Sequence, residues 1–158
     1  MKDKKDKLGL VGRVHYLAWH KDGTVFYDEG HTALQHNQTQ DTIVGEVINA
    51  LDREVGSSAS IHAMAIGTGA NPGVAGTALS SLGTWEDSSG THWADSQPSA
   101  NQLQIVATFT GWAGTVSEAG LFNKVAPVTS GLCFWDGTIS QALTASDSLQ
   151  VTWTITVS

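Results

Sequence analysis

Six histidines are the side chains of this 158-residue sequence best suited to hold a metal: His15, His20, His31, His36, His62 and His92. Neutral imidazole is the commonest metal ligand, but a site needs several donors converging on one point. His31 and His36 lie five apart in polar sequence, and the same spacing puts His15 and His20 on opposite faces of a strand, where side chains alternate. No His-Glu-x-x-His pairing accompanies them. Cys133 is the only cysteine, which rules out a disulfide within the chain and a zinc site built from several thiolates. These residues predict no bound metal and no cofactor.

Nucleophilic and acid–base chemistry finds equally little support. No Gly-x-Ser-x-Gly elbow frames any serine. Carboxylates are few after residue 60: Glu86, Asp87, Asp95, Glu118, Asp136 and Asp147. Glu118 with Asp136 is the pair a glycosidase could use, although acids at strand ends more often satisfy turns. Gly67-Thr68-Gly69-Ala70-Asn71-Pro72-Gly73 invites a phosphate-loop reading, because glycine-rich backbone can cradle anions. It lacks the following Gly-Lys-Ser/Thr, Pro72 removes an amide, and no helix signal opens after it, so a tight crossover between strands is expected. The reading is that the chain is not an enzyme.

The tryptophans divide. Trp135 and Trp153 fall in strand-like sequence and are predicted to be core, together with Leu149, Val151 and Ile155. Trp85, Trp93 and Trp112 fall in Gly- and Ser-rich sequence and are candidates for an exposed aromatic interface, or for stacking on a host glycan. The alternative is that they fold back onto the core.

The elements that must position these residues are mainly β. Leu8 to Tyr27 reads as a hairpin turning at Asp22-Gly23. Asp41 can cap a helix running to about Val55, with Ile43, Val44, Val47, Ile48 and Leu51 on one face. From Ile61 onward strands and turns alternate, among them Gln102 to Thr110 and Leu132 to Trp135. Ser81 to Gln102 has no period and is expected to be a long surface loop. The last strand is the clearest, with Leu149, Val151, Trp153, Ile155 and Val157 alternating with Gln150, Thr152, Thr154 and Thr156. The architecture this predicts is a β-sandwich or jelly-roll-like barrel with an N-terminal hairpin and one short helix. Residues 8–158 form a single β domain, its sandwich spanning 61–158.

Charge narrows the partners. The net charge is −7, and residues 61–158 carry only Lys124 against six acids. A phosphate-binding protein would show a basic stripe, so nucleic acid is not an expected partner. No run is long enough to span a membrane, and no signal peptide is recognisable, so synthesis and storage in the cytoplasm until assembly are expected. Residues 1–7 hold Lys2, Lys4, Lys5 and Lys7 interrupted by Asp3 and Asp6. Too polar for the core, this segment is expected to dock on a neighbouring chain.

Several fragments, taken in order, resemble a family of tailed-phage virion structural proteins: Asp22-Gly23-Thr24, Gly30-His31 and His36-Asn37 leading into a helix; then Ile66-Gly67-Thr68-Gly69 with Pro72, Thr77 and Leu79; then Ser117-Glu118-Ala119-Gly120-Leu121-Phe122-Asn123; and Asp147-Ser148-Leu149-Gln150-Val151-Thr152-Trp153-Thr154-Ile155. The resemblance covers most of residues 15 to 157, and Trp85 to Gln102 departs from its pattern. It implies a non-enzymatic accessory component of the virion, assembled in the host cytoplasm, with no catalytic residues to transfer. The leading expectation is a capsid decoration or cement protein that binds the major capsid protein or another virion protein and self-associates, a trimer being favoured. The alternatives are a tail, baseplate or adaptor protein and a carbohydrate-binding receptor tip.

Overall fold

Val14, Tyr16 and Ala18 are completely buried while His15, Leu17 and Trp19 between them are only partly covered. That alternation is the signature of a sheet with one face in the core and one in water. The computed structural model describes residues 10–31, 35–36, 61–70, 76, 78–123 and 130–157. Among the described residues every regular element is a strand. The helix expected over 41–55 and the segment 1–7, with Lys2, Lys4, Lys5 and Lys7, lie outside them.

Two five-stranded antiparallel sheets form a sandwich. The first contains β1 (Leu10–Trp19), β2 (Val25–His31), β6 (Trp93–Ser96), β7 (Gln102–Thr110) and β12 (Ser148–Val157), in the order β2-β1-β12-β7-β6. The second contains β3 (Gln35–His36), β4 (Ala63–Gly67), β5 (Leu82–Asp87), β9 (Glu118–Phe122) and β10 (Leu132–Asp136), in the order β3-β10-β9-β4-β5. A small ribbon joins β8 (Gly114–Val116) to β11 (Gln141–Leu143). The strand nearest the C-terminus lies at the centre of the first sheet, pairing with β1 from Leu10↔Val157 to Trp19↔Ser148 and with β7 on its other side.

Trp153, Leu149, Val151 and Ile155 on β12 meet Leu103, Ile105 and Phe109 of β7 and Tyr16 of β1 in one core. Met64, Ile66, Leu121 and Phe134 enter it from the second sheet. The strands β4, β9 and β10 are buried at every position, so the second sheet is covered on both faces. Its outer face forms a second cluster of Ala63, Ala65, Leu79, Phe122, Leu132 and Trp135. A bulge between Leu132 and Phe134 resets the parity of β10, which is why Leu132 and Trp135, three apart, share that face.

The expected loop from Ser81 to Gln102 is corrected. It contains β5 and β6, the edge strands of the two sheets, joined by a turn in which Asp87 accepts hydrogen bonds from the amide and hydroxyl of Ser89. Both strands are polar because they lie at edges, half covered at most, so neither alternation nor an apolar run marks them.

Candidate functional site

Glu118 opens β9 and is fully buried, which for a carboxylate demands compensation. Oε1 accepts from the amides of Gly69 at 3.2 Å and Ser81 at 2.8 Å, and Oε2 accepts from the amide of Ser80 at 3.1 Å and its hydroxyl at 2.8 Å. The adjacent Ser117 donates its hydroxyl to the Gly69 carbonyl at 2.6 Å, and its amide donates to the Gly67 carbonyl. Thr68 completes the clasp by donating its amide to the Ser81 carbonyl. There is no room for a side chain at Gly67, where a Cβ would fall 2.6 Å from Glu118 Oε1. The glycine-rich turn therefore does cradle an anion, but the anion is the chain's own carboxylate. With four donors already on it, Glu118 has little capacity left for acid–base work.

Asp136 closes β10, the strand paired with β9, and stands opposite Ala119. Ala119 belongs to the central core, whereas Glu118 points to the other face of the sheet. The two carboxylates suggested as a glycosidase pair are thus directed to opposite sides. Asp136 accepts from the Tyr16 hydroxyl at 2.7 Å across the sandwich, and from the hydroxyl of Thr138 at 2.8 Å. Burial, followed by the Asp136 charge and hydrogen bond, raises the Tyr16 phenol well above its ordinary value and keeps it a donor. Tyr27, inward on edge strand β2, is pushed up to about 12 by burial and by its hydrogen bond to Glu29. Cys133 is buried and its thiol is raised to about 12 by that burial, which leaves it a poor nucleophile.

Three of the described histidines each take one carboxylate partner, and His31 instead packs edge-on against the Tyr16 ring. His15 faces Asp28 at 2.6 Å, His20 faces Asp147 at 2.8 Å, and His92 faces Glu86 at 3.3 Å. His20 also stacks on Phe26 with ring centroids 4.2 Å apart, and Asp147 in turn accepts from the amide of Thr144, so the β1–β2 turn is clipped to the turn before β12. Among the described residues no three His, Cys, Asp or Glu side chains gather where a metal could bind.

The three tryptophans proposed as an aromatic interface do not form one surface. Trp112 lies over Gly83 and Gly114, where an added Cβ would come within 2.7 Å of its ring. Trp93 pairs opposite the buried Ala107, and both it and Trp112 pack against the central core. Only Trp85 is substantially exposed, on edge strand β5. Trp135 and Trp153 are buried, as are Leu149, Val151 and Ile155.

The remaining candidate is the outer face of the first sheet. Val11 and Arg13 of β1, Gln102 of β7, and Thr154 and Thr156 of β12 line a shallow groove there of about 580 Å³. Cross-strand hydrogen bonds order this face, from Gln102 Nε2 to Thr156 Oγ1 at 3.2 Å and from Gln104 Nε2 to Thr154 Oγ1 at 3.3 Å. The polar alternation of β12 was the available signal for this face. Its other strands could be added only from the register. Comparisons of the chain with protein-family models, with curated proteins and with solved structures found no match.

Proposed function

We propose that this chain is a non-enzymatic structural component of a tailed-phage virion, a capsid decoration or cement protein that binds the shell and self-associates. The observation that supports this reading is the Glu118 clasp. Two of the fragments on which the family resemblance rests, Ile66-Gly67-Thr68-Gly69 and Ser117-Glu118-Ala119-Gly120, are far apart in sequence and are locked together by hydrogen bonds in space. Residues that must coexist to bury one carboxylate are a more specific mark than either short fragment alone.

In this reading Lys2, Lys4, Lys5 and Lys7 dock on the major capsid protein or another virion protein, and the β domain carries the self-association. Each exposed ion pair contributes only about 0.2–1 kcal/mol, so docking draws its strength from many copies on a symmetric lattice. Gold-labelled antibody against the chain, imaged on purified particles by electron microscopy, is the test. Label over the head is expected. Label confined to the tail would replace the decoration role by a tail, baseplate or adaptor role, and particles without label would overturn the virion assignment. Deletion of residues 1–7 is expected to lower occupancy and make it more sensitive to salt.

A further inference from the structure

The outward positions of β1, β7 and β12 hold no Asp, Glu or Lys in a chain whose net charge is −7. Arg13 is their one full charge, exposed and without an ion pair among the described residues, and His15 faces Asp28 on the flanking strand. Around these stand partly covered Gln, Thr and Ser side chains together with Leu17, Trp19 and Val106, with Thr110 and Val11, the latter at 50%, exposed. Charged residues make up 15% of the whole chain, whereas on these strands they are one of fifteen outward positions. Depletion of Lys, Glu and Asp, with Arg and Trp retained, is the composition of an interface core.

We propose that this face is where a second copy of the chain binds, outer face to outer face about a two-fold axis. The proposal deepens the self-association part of the reading above, with a two-fold pair in place of the trimer expected from the resemblance, and rests on it. Three observations select a second copy as the occupant. Two chains of net charge −7 repel one another, and on this face they can meet with a single carboxylate on each, Asp28 on edge strand β2, which His15 engages at 2.6 Å. The area is also suitable: five strands about 4.8 Å apart, long at the centre and shorter at the β2 and β6 edges, make a face of roughly 600 Å², at the lower end of the roughly 600–1,000 Å² per partner of a stable interface. A twisted sheet is, finally, self-complementary when two faces pack with strands nearly aligned, which a two-fold axis provides. The cross-strand Gln–Thr hydrogen bonds hold the amides and hydroxyls in place before association, so little side-chain freedom is lost in forming the contact.

Sedimentation equilibrium of the full chain from 1 to 100 µM tests this. A mass near twice 16.6 kDa is expected. Thr152, on the central strand, is partly covered and points outward. T152E is expected to weaken association at least 100-fold, with an unchanged circular dichroism spectrum. Mixing T152E with T152K is expected to restore a dimer, which a folding defect in either variant would not do. S89E, on the β5–β6 turn, should associate like the parent chain. A monomeric parent chain at 100 µM, full association of T152E, failure of the mixed pair to associate, or equal loss in S89E would each overturn the proposal. A monomer that still labels virus particles would overturn this interface and leave the virion reading standing.

Discussion

The two sheets of the sandwich bury their residues by different rules. In the first, β7 alternates between buried and half-covered positions along its length up to Phe109, whereas in the second, β4, β9 and β10 are buried at every position. One sheet is stabilised by a single apolar face and leaves its other face free for contacts. The other is enclosed, and any polar group on it needs an internal partner, which is the position of Glu118. The comparison suggests a division of labour in which the enclosed sheet holds the architecture and the half-wet sheet presents the surface.

That division can be broken at either sheet. The largest expected loss is Trp153→Ala in the first sheet: removing a fully buried indole should cost about 3–5 kcal/mol, read as a lower denaturation midpoint. Glu118→Gln in the second keeps the volume but exchanges a charged acceptor for an amide facing backbone N–H groups. A loss of about 2–3 kcal/mol is expected, and near-neutral behaviour would show that the clasp is not held by charge. Gly67→Ala should cost about 1–3 kcal/mol, because the added carbon meets the Ser81 carbonyl and Glu118.

Smaller effects sharpen the comparison on the first sheet. Asp147 is held below the ordinary carboxylate value of 3.8, first by the Thr144 amide and then by His20. Its folded value is depressed, so its contribution is full above that ordinary value and is lost as pH falls through the lowered one. Asp147→Asn should therefore lower thermal stability at pH 7 and flatten the acid limb of the stability curve below about pH 4. The smallest effect is expected at Thr154→Ala on the wet face, within about 0.5 kcal/mol in the isolated chain. A loss there as large as at Trp153 would invert the assignment of faces.

Legibility in the sequence followed the same division. The half-wet strands β1, β7 and β12 announce themselves by period two, and Asp22-Gly23 marks the turn between β1 and β2. Edge strands β5 and β6 were hidden inside an expected loop, because the side chains they pack on the cores, Leu82 and Trp93, are only partly covered and too few to show an apolar period. Glu118 was visible only as an acid at a strand end. Its burial could not be read, since its partners on Gly69, Ser80 and Ser81 come from segments roughly 40 to 50 residues away.

What the amino-acid sequence determined by itself was local: the alternation that commits β12 to one dry and one wet face, the scarcity of charge in the second half, and the single thiol. Each is a property of neighbouring residues, and alternation follows directly from the strand geometry of the backbone. Only the tertiary structure decided that β12 lies between β1 and β7, that Tyr16 reaches Asp136 across the core, and that the glycine turn closes on Glu118. Those choices rest on pairings between residues distant in the chain, whose energies arise from burial and hydrogen bonding that exist only once both sheets have formed.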